Sequence, residues 1–309
     1  MALVCAGRVV CRLVESPHRV SGITVVDGTL YVLRCRDTDQ IELHDVLLPS
    51  EQEPASPPPR YALRRCLSLP RLYRDDWNDL AGSSRHRALY VSNFSMNRVQ
   101  RVDPDDGAVS LWPLPDAAPC GLSVTRDRHN VLVTLHDARR PGRVVELDGA
   151  TGECLRTVAF PDGVAWAWHT VDVGCWSAEG RRCPWAEPGA GEYLVSHGYY
   201  DEHDHAVTLL AADDGRKSRS FGGGGIPAGA AKLCVPYHVA VDAERGVVFV
   251  ADHHNGRVVA LSAPRLEYRG CFAAMDSSLG LRPRRLFLDA SARLLYVGQD
   301  GGTVTVFQL

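Results

Sequence analysis

The chain repeats itself, and the repeat leaves few folds open to it. Residues 236–261 hold a short strand pattern ending at Val241, a turn from Asp242 to Gly246, and an apolar run Val247–Ala251. A polar hairpin and a further apolar run, Arg257–Leu261, complete the unit. The same order returns at Ser21–Val25, Thr29–Arg34 and Gln40–His44, and at Trp77–Ala81, Arg87–Ser92 and Asn97–Val102. It returns again at Pro119–Val124, His129–Thr134 and Arg143–Leu147, and at Pro283–Leu288, Arg293–Gly298 and Thr303–Phe307. The most divergent copy is Trp168–Val173, Glu192–His197 and Ala206–Leu210. Short apolar runs bounded by turn residues read as strands, and self-similarity at a fixed period reads as stacked units sharing a continuous core.

Five of these units are followed by an outer strand pattern: Arg60–Leu67, Val109–Trp112, Cys154–Phe160, Lys217–Phe221 and Tyr268–Phe272. The last unit ends with the chain at Leu309, while Gly7–Leu13 precedes the first unit with no partner of its own. Ring closure resolves both facts at once, because a closed ring leaves no long sheet edge to aggregate. The expected fold is all-β: a six-bladed β-propeller of four-stranded antiparallel blades, with the N-terminal strand completing the last blade. Residues 1–309 are read as a single domain of this kind. It carries a proline-rich insertion at about 49–60 and a second insertion at about 175–191.

The hairpin Val250-Ala251-Asp252-His253-His254-Asn255-Gly256-Arg257-Val258-Val259 resembles the core of an NHL repeat, and Tyr90 to Val99 is a second good match. The other units match weakly or by position alone. The resemblance implies a propeller of the kind found in TRIM-NHL proteins, here without a RING or B-box segment. It implies no particular activity, since function resides in sites grafted on a fold.

Composition removes some partners. The 309 residues carry 34 Lys+Arg against 37 Asp+Glu, a formal charge of −3. Nucleic-acid binding therefore has to come from one locally basic face. No apolar run reaches the length of a membrane span, and no secretory signal opens the chain. The ten cysteines are scattered with no Cys-x-x-Cys pair. Reduced, mostly core-packed thiols in a cytoplasmic, monomeric protein are the expectation.

In a propeller the loops that start the inner strands converge on one mouth of the central channel. Aligning the units places Asn78, Asp79, Cys120, His169, Tyr237, His238, Arg284 and Arg285 at that mouth, with Ser21 and Gly22 from the first unit. Rim candidates are Arg139, Arg140, Tyr199, Tyr200, His203, His205, His253 and His254. Eight of the twelve histidines fall on this face, read chiefly as solvated turns, with adventitious transition-metal binding as the sharper alternative. Asp252 and Arg257, five apart across a hairpin, are read as a structural pair.

Known propeller chemistries set specific demands on such a mouth. Peptidyl-hydroxyglycine amidating lyases, similar in fold, place three histidines around zinc at inner-strand starts. Here the matching slots hold His169 and, one position out of step, His238, so no metal set is assigned. Calcium-dependent hydrolase propellers need six to eight oxygen ligands. Only Asn78 and Asp79 qualify, with Asp172 deeper and Arg284 and Arg285 opposed to a cation. No Gly-x-Ser-x-Gly elbow is present. Gly222–Ala231 lacks the Lys-Ser/Thr that a phosphate loop requires. The reading is thus a non-catalytic scaffold recognising a protein or peptide on the mouth face, without a cofactor. Single-stranded RNA binding is one alternative, through Arg71, Arg74, Arg139, Arg140, Arg143, Arg282, Arg284 and Arg285 with Tyr199, Tyr200 and Tyr237, and a metal-dependent lyase or hydrolase of the propeller type is the other.

Overall fold

The computed structural model describes residues 7–13, 18–35, 39–47, 59–70, 72, 77–115, 117–136, 142–174, 191–199, 204–223, 232–263, 265–275 and 281–309. These form six four-stranded antiparallel sheets. Blade 1 comprises β2 (Val20–Val26), β3 (Thr29–Arg34), β4 (Gln40–Leu47) and β5 (Arg60–Ser68). Blade 2 has β6 (Leu80–Ser83), β7 (Ala88–Asn93), β8 (Arg98–Val102) and β9 (Val109–Pro113). Blade 3 is β10 (Ala118–Val124), β11 (Val131–His136), β12 (Arg143–Leu147) and β13 (Cys154–Ala159). Blade 4 is β14 (Ala167–Gly174), β15 (Glu192–His197), β16 (Ala206–Ala211) and β17 (Lys217–Gly222). Blade 5 is β18 (Pro236–Asp242), β19 (Val247–Asp252), β20 (Arg257–Ser262) and β21 (Tyr268–Ala274). Blade 6 joins β22 (Pro283–Asp289), β23 (Leu294–Gln299) and β24 (Val304–Gln308) to β1 (Arg8–Leu13), which pairs with β24 and closes the ring.

Each blade is buried on both faces, which explains why its middle strands are continuous apolar runs. Along β11, Val131 and Val133 enter the core against blade 2, whereas Leu132 enters the core against blade 4. Along β19, Val248 and Val250 face blade 4, and Val247, Phe249 and Ala251 face blade 6. The period-2 alternation of a strand thus feeds two cores, and each neighbouring pair of blades shares one. Outer strands meet solvent: β5 and β17 are largely exposed. Among the described residues the only helix is a three-residue 3-10 turn, Phe94–Met96, and no helix is long and apolar enough to cross a membrane.

Five inner strands begin with the same irregularity. The register slips between Val20 and Gly22, Pro119 and Gly121, Ala167 and His169, Pro236 and His238, and Pro283 and Arg285. An extra residue at a bulge re-aims the side chain that follows it. Blade 2 reaches the same place without a paired bulge, Asp79 lying opposite Ser92 through Ser92 N–H to Asp79 O at 3.1 Å. Equivalent positions around the axis are therefore Gly22, Asp79, Gly121, His169, His238 and Arg285.

Candidate site at the channel mouth

That ring combines two glycines with four ionisable residues for a steric reason. A Cβ on Gly22 would sit 2.3 Å from Leu80 Cβ, and one on Gly121 would sit 2.3 Å from the carbonyl oxygen of Trp168. Two glycines let the inner strands approach closely, and the four larger residues fill the axis. The expected one-position offset between His169 and His238 is not observed. The bulge residue of blade 4 is Trp168, not His169, so both histidines occupy the same register.

Asp79 is the centre of the ring and is 1% exposed. Its Oδ1 accepts from Leu80 N–H at 2.9 Å and faces Arg285 Nε at 3.2 Å. Its Oδ2 accepts from Leu122 N–H at 2.9 Å and lies 3.5 Å from His238 Nε2 and 4.0 Å from His169 Nε2. Burial alone would raise this carboxyl, but Arg285 and His238 outweigh it and hold it well below the usual carboxylate range. Burial, reinforced by His238, pushes His169 well below an ordinary imidazole; burial also lowers His238 against the pull of Asp79. The two rings stack with centroids 3.5 Å apart and planes 20° apart. His169 Nε2 donates to Leu122 O at 3.0 Å, and Nδ1 of each ring has no hydrogen-bond partner.

Arg285 also donates to Ser21 O at 2.7 Å and to Asn78 O at 2.9 Å, so one guanidinium ties blades 6, 1 and 2. Arg284 is 2% exposed, lies 4.8 Å over the Tyr237 ring and 3.6 Å from Asp300. Neither arginine presents itself to a phosphate backbone, which corrects the expectation that they form part of an arginine face. Cys120, at 3% exposure, has its thiol pushed up to about 12 by burial and is inert as a thiolate. Asn78 is buried and accepts Phe94 N–H at 3.1 Å, a structural task.

Above this plug lies an aromatic layer. Trp168 packs on Tyr237 with centroids 4.6 Å apart, and Trp77 meets Phe94 at 4.6 Å. His136 stacks on Trp166 at 4.0 Å, and Tyr199 touches Trp166 at 5.4 Å. Trp77, Phe94, His136, Trp166 and Tyr199 are half-buried. Trp166 has a φ of 52°, a left-handed conformation uncommon for a bulky residue. The sequence reading overlooked Trp77, Phe94, Trp166 and Trp168. The usable signal was tryptophan within two or three residues of the axial position in blades 2 and 4.

The rim histidines differ from solvated turns. His205 and His253 are buried at 0% and 5%, and among the described rim histidines only His254 is exposed. His253 Nε2 meets Asp300 Oδ2 at 2.7 Å; burial still lowers the imidazole to about 4. Arg71, Arg74, Arg139, Arg140, Tyr200 and His203 lie outside the described residues, as do most of the insertions around 49–60, 175–191 and 222–231, with Cys175, Cys183, Trp176 and Trp185. On the opposite side of the plug, a cavity of about 210 Å³ follows the channel, lined by Leu122, Val171, Val239, Leu286 and Phe287 and reached by both axial imidazoles.

Comparisons with known proteins meet the fold and stop there. No family model matches the sequence, and no curated protein matches it. The chain is similar to the WD40 β-propeller domain of Doa1, with 10% identity and a TM-score of 0.59 over 98% of this chain and 97% of that one. The fold is a six-bladed β-propeller. At this identity the likeness concerns architecture alone.

Proposed function

We propose that this propeller is a non-catalytic binding platform that receives a segment of a partner protein across its channel mouth. The observation carrying the proposal is the half-buried aromatic layer of Trp77, Phe94, Trp166 and Tyr199 over a closed axial plug. Large, partly exposed rings give contact area at small entropic cost, which is how binding surfaces concentrate energy. The hairpin sequences favour an NHL-type repeat as the blade's origin. Ten scattered cysteines with no Cys-x-x-Cys pair favour a reducing compartment such as the cytoplasm.

The test is capture of partners from lysate by wild-type protein and by Trp166→Ala and Tyr199→Ala variants, each with and without nuclease. Nuclease-resistant partners lost from both variants support the platform. A nuclease-sensitive signal, or partners retained by both variants, rejects it.

A further inference from the structure

The axial plug carries an inference independent of the aromatic layer. We propose that Asp79, His169 and His238 form a binding site for one divalent transition-metal ion at the closed end of the channel cavity. The three side chains come from blades 2, 4 and 5 at equivalent ring positions, with Gly121 of blade 3 leaving the gap across which His169 approaches Asp79. Their ligand atoms lie within 4.8 Å of one another. A tetrahedral ion with metal–nitrogen and metal–oxygen distances near 2.0–2.1 Å separates its ligand atoms by about 3.4 Å. Asp79 Oδ2 stands 3.5 Å from His238 Nε2 and 4.0 Å from His169 Nε2, so His169 has to close by about half an ångström.

Each ring turns its Nε2 toward Asp79 Oδ2, and a neutral imidazole nitrogen is the ligating form. Neither Nδ1 is engaged, so nothing pins the tautomer from that side. On loading, each ring proton moves from Nε2 to Nδ1 and the freed Nε2 lone pair turns to the ion; the hydrogen bond from His169 to Leu122 O is given up. Asp79 is oriented for the role through its other oxygen, by Leu80 N–H and Arg285. Two imidazoles and one carboxylate select zinc, iron(II) or cobalt(II) over calcium or magnesium. The Cys120 thiol points to Ala118 O and adds no sulfur ligand. Arg285 works against the ion by neutralising the same carboxylate, so the site is exchangeable with chelators rather than permanently filled. The cavity contacts both imidazoles, which gives the ion a route and leaves its remaining positions facing the channel.

The experiment is titration of chelator-treated protein with cobalt(II), read by visible d–d absorption, with zinc competition and metal analysis after gel filtration. One equivalent with a tetrahedral-type spectrum is expected. His169→Gln and His238→Gln should each weaken it by at least about tenfold, as removal of a ligand costs no less than loss of its supporting partner. His254→Ala, on the exposed hairpin, should leave it unchanged. Should the ring variants fail to fold, X-ray absorption of the loaded wild-type protein decides alone, with two imidazole nitrogens expected. An absent cobalt spectrum, binding that survives both ring variants, loss in His254→Ala, or a different imidazole count overturns the site.

Discussion

At the residue scale, the axial ring shows what single positions decide. Gly121 is required because any Cβ there meets the backbone of Trp168 and His169, which cannot swing aside as a flexible side chain could. Gly121→Ala should destabilise by about 3 kcal/mol, the upper part of the overpacking range, measured by chemical denaturation. His197 sets an acid sensitivity. It is 1% exposed, with Nε2 against Thr208 Oγ1 at 2.8 Å, and burial, aided by Lys217, lowers it to about 4. The unfolded chain binds this proton near pH 6.5 and the folded chain only near 4, so stability is full above pH 6.5 and falls as pH drops through that window. The depression corresponds to about 3 kcal/mol. His197→Gln, which can keep the bond to Thr208, should flatten the melting-temperature profile between pH 6.5 and 4. An unchanged slope would remove His197 from the account. The sequence indicated the axial residues by type and rough position, because each follows a turn and begins a strand. It could not show the shared register of His169 and His238, since a bulge is an extra residue that two divergent repeats do not mark alike.

At the scale of the element, the hairpins hold blades to their neighbours' loops through buried polar knots. Asp252 is fully buried and accepts from Cys234 N–H at 2.7 Å, Asn255 Nδ2 at 2.9 Å and Arg257 Nε at 2.7 Å. Arg257 then donates to Lys232 O at 2.7 Å. The pairing of Asp252 with Arg257 was legible from their spacing across the turn. The tie to Cys234 and Lys232 was not, because it joins the hairpin to a segment that precedes the inner strand. Asp252→Ala leaves a buried backbone N–H and a half-buried guanidinium without their acceptor, a loss of about 3–5 kcal/mol for a broken buried pair. Hydrogen exchange should show the protection of β19 and β20 falling first. Glu146 makes the corresponding knot between blades 3 and 4: it accepts Arg156 Nε at 2.6 Å and Asn130 Nδ2 at 2.7 Å, while Arg156 reaches Ala212 O at 2.9 Å in blade 4. The outer strands were equally readable, their positions matching within a few residues. Only strands that alternate between two cores must stay apolar on both faces, and the polar, exposed β5 and β17 stand out against them.

For the whole molecule, closure is the property that the order of strands imposes. β1 supplies Leu13 to the core shared by blades 6 and 1, with Val10 and Cys11 packed against it, and it covers the hydrogen-bonding edge of β24. Its pairing is antiparallel, Arg8 opposite Gln308 and Leu13 opposite Val304. The start of β1 thus lies beside the end of β24, and a tight turn could join them directly. Two variants separate the strand's contribution from that of its position in the chain. Deleting residues 1–13 should expose β24, lower the melting temperature and shift the protein to larger species in size-exclusion chromatography, because an open edge pairs with any available strand. Moving residues 7–13 to follow Leu309 through a short turn should restore the elution position of the full chain and most of the melting temperature. The two ends of the chain would then meet within one hairpin, and the ring would close without the N-terminal strand crossing back to it. If the deletion alone melts and elutes like the full chain, blade 6 is complete with three strands and the closure argument fails. If the relocated strand does not rescue the deletion, the seam depends on more than β1, and the loop that carries β1 into β2 becomes the element to examine.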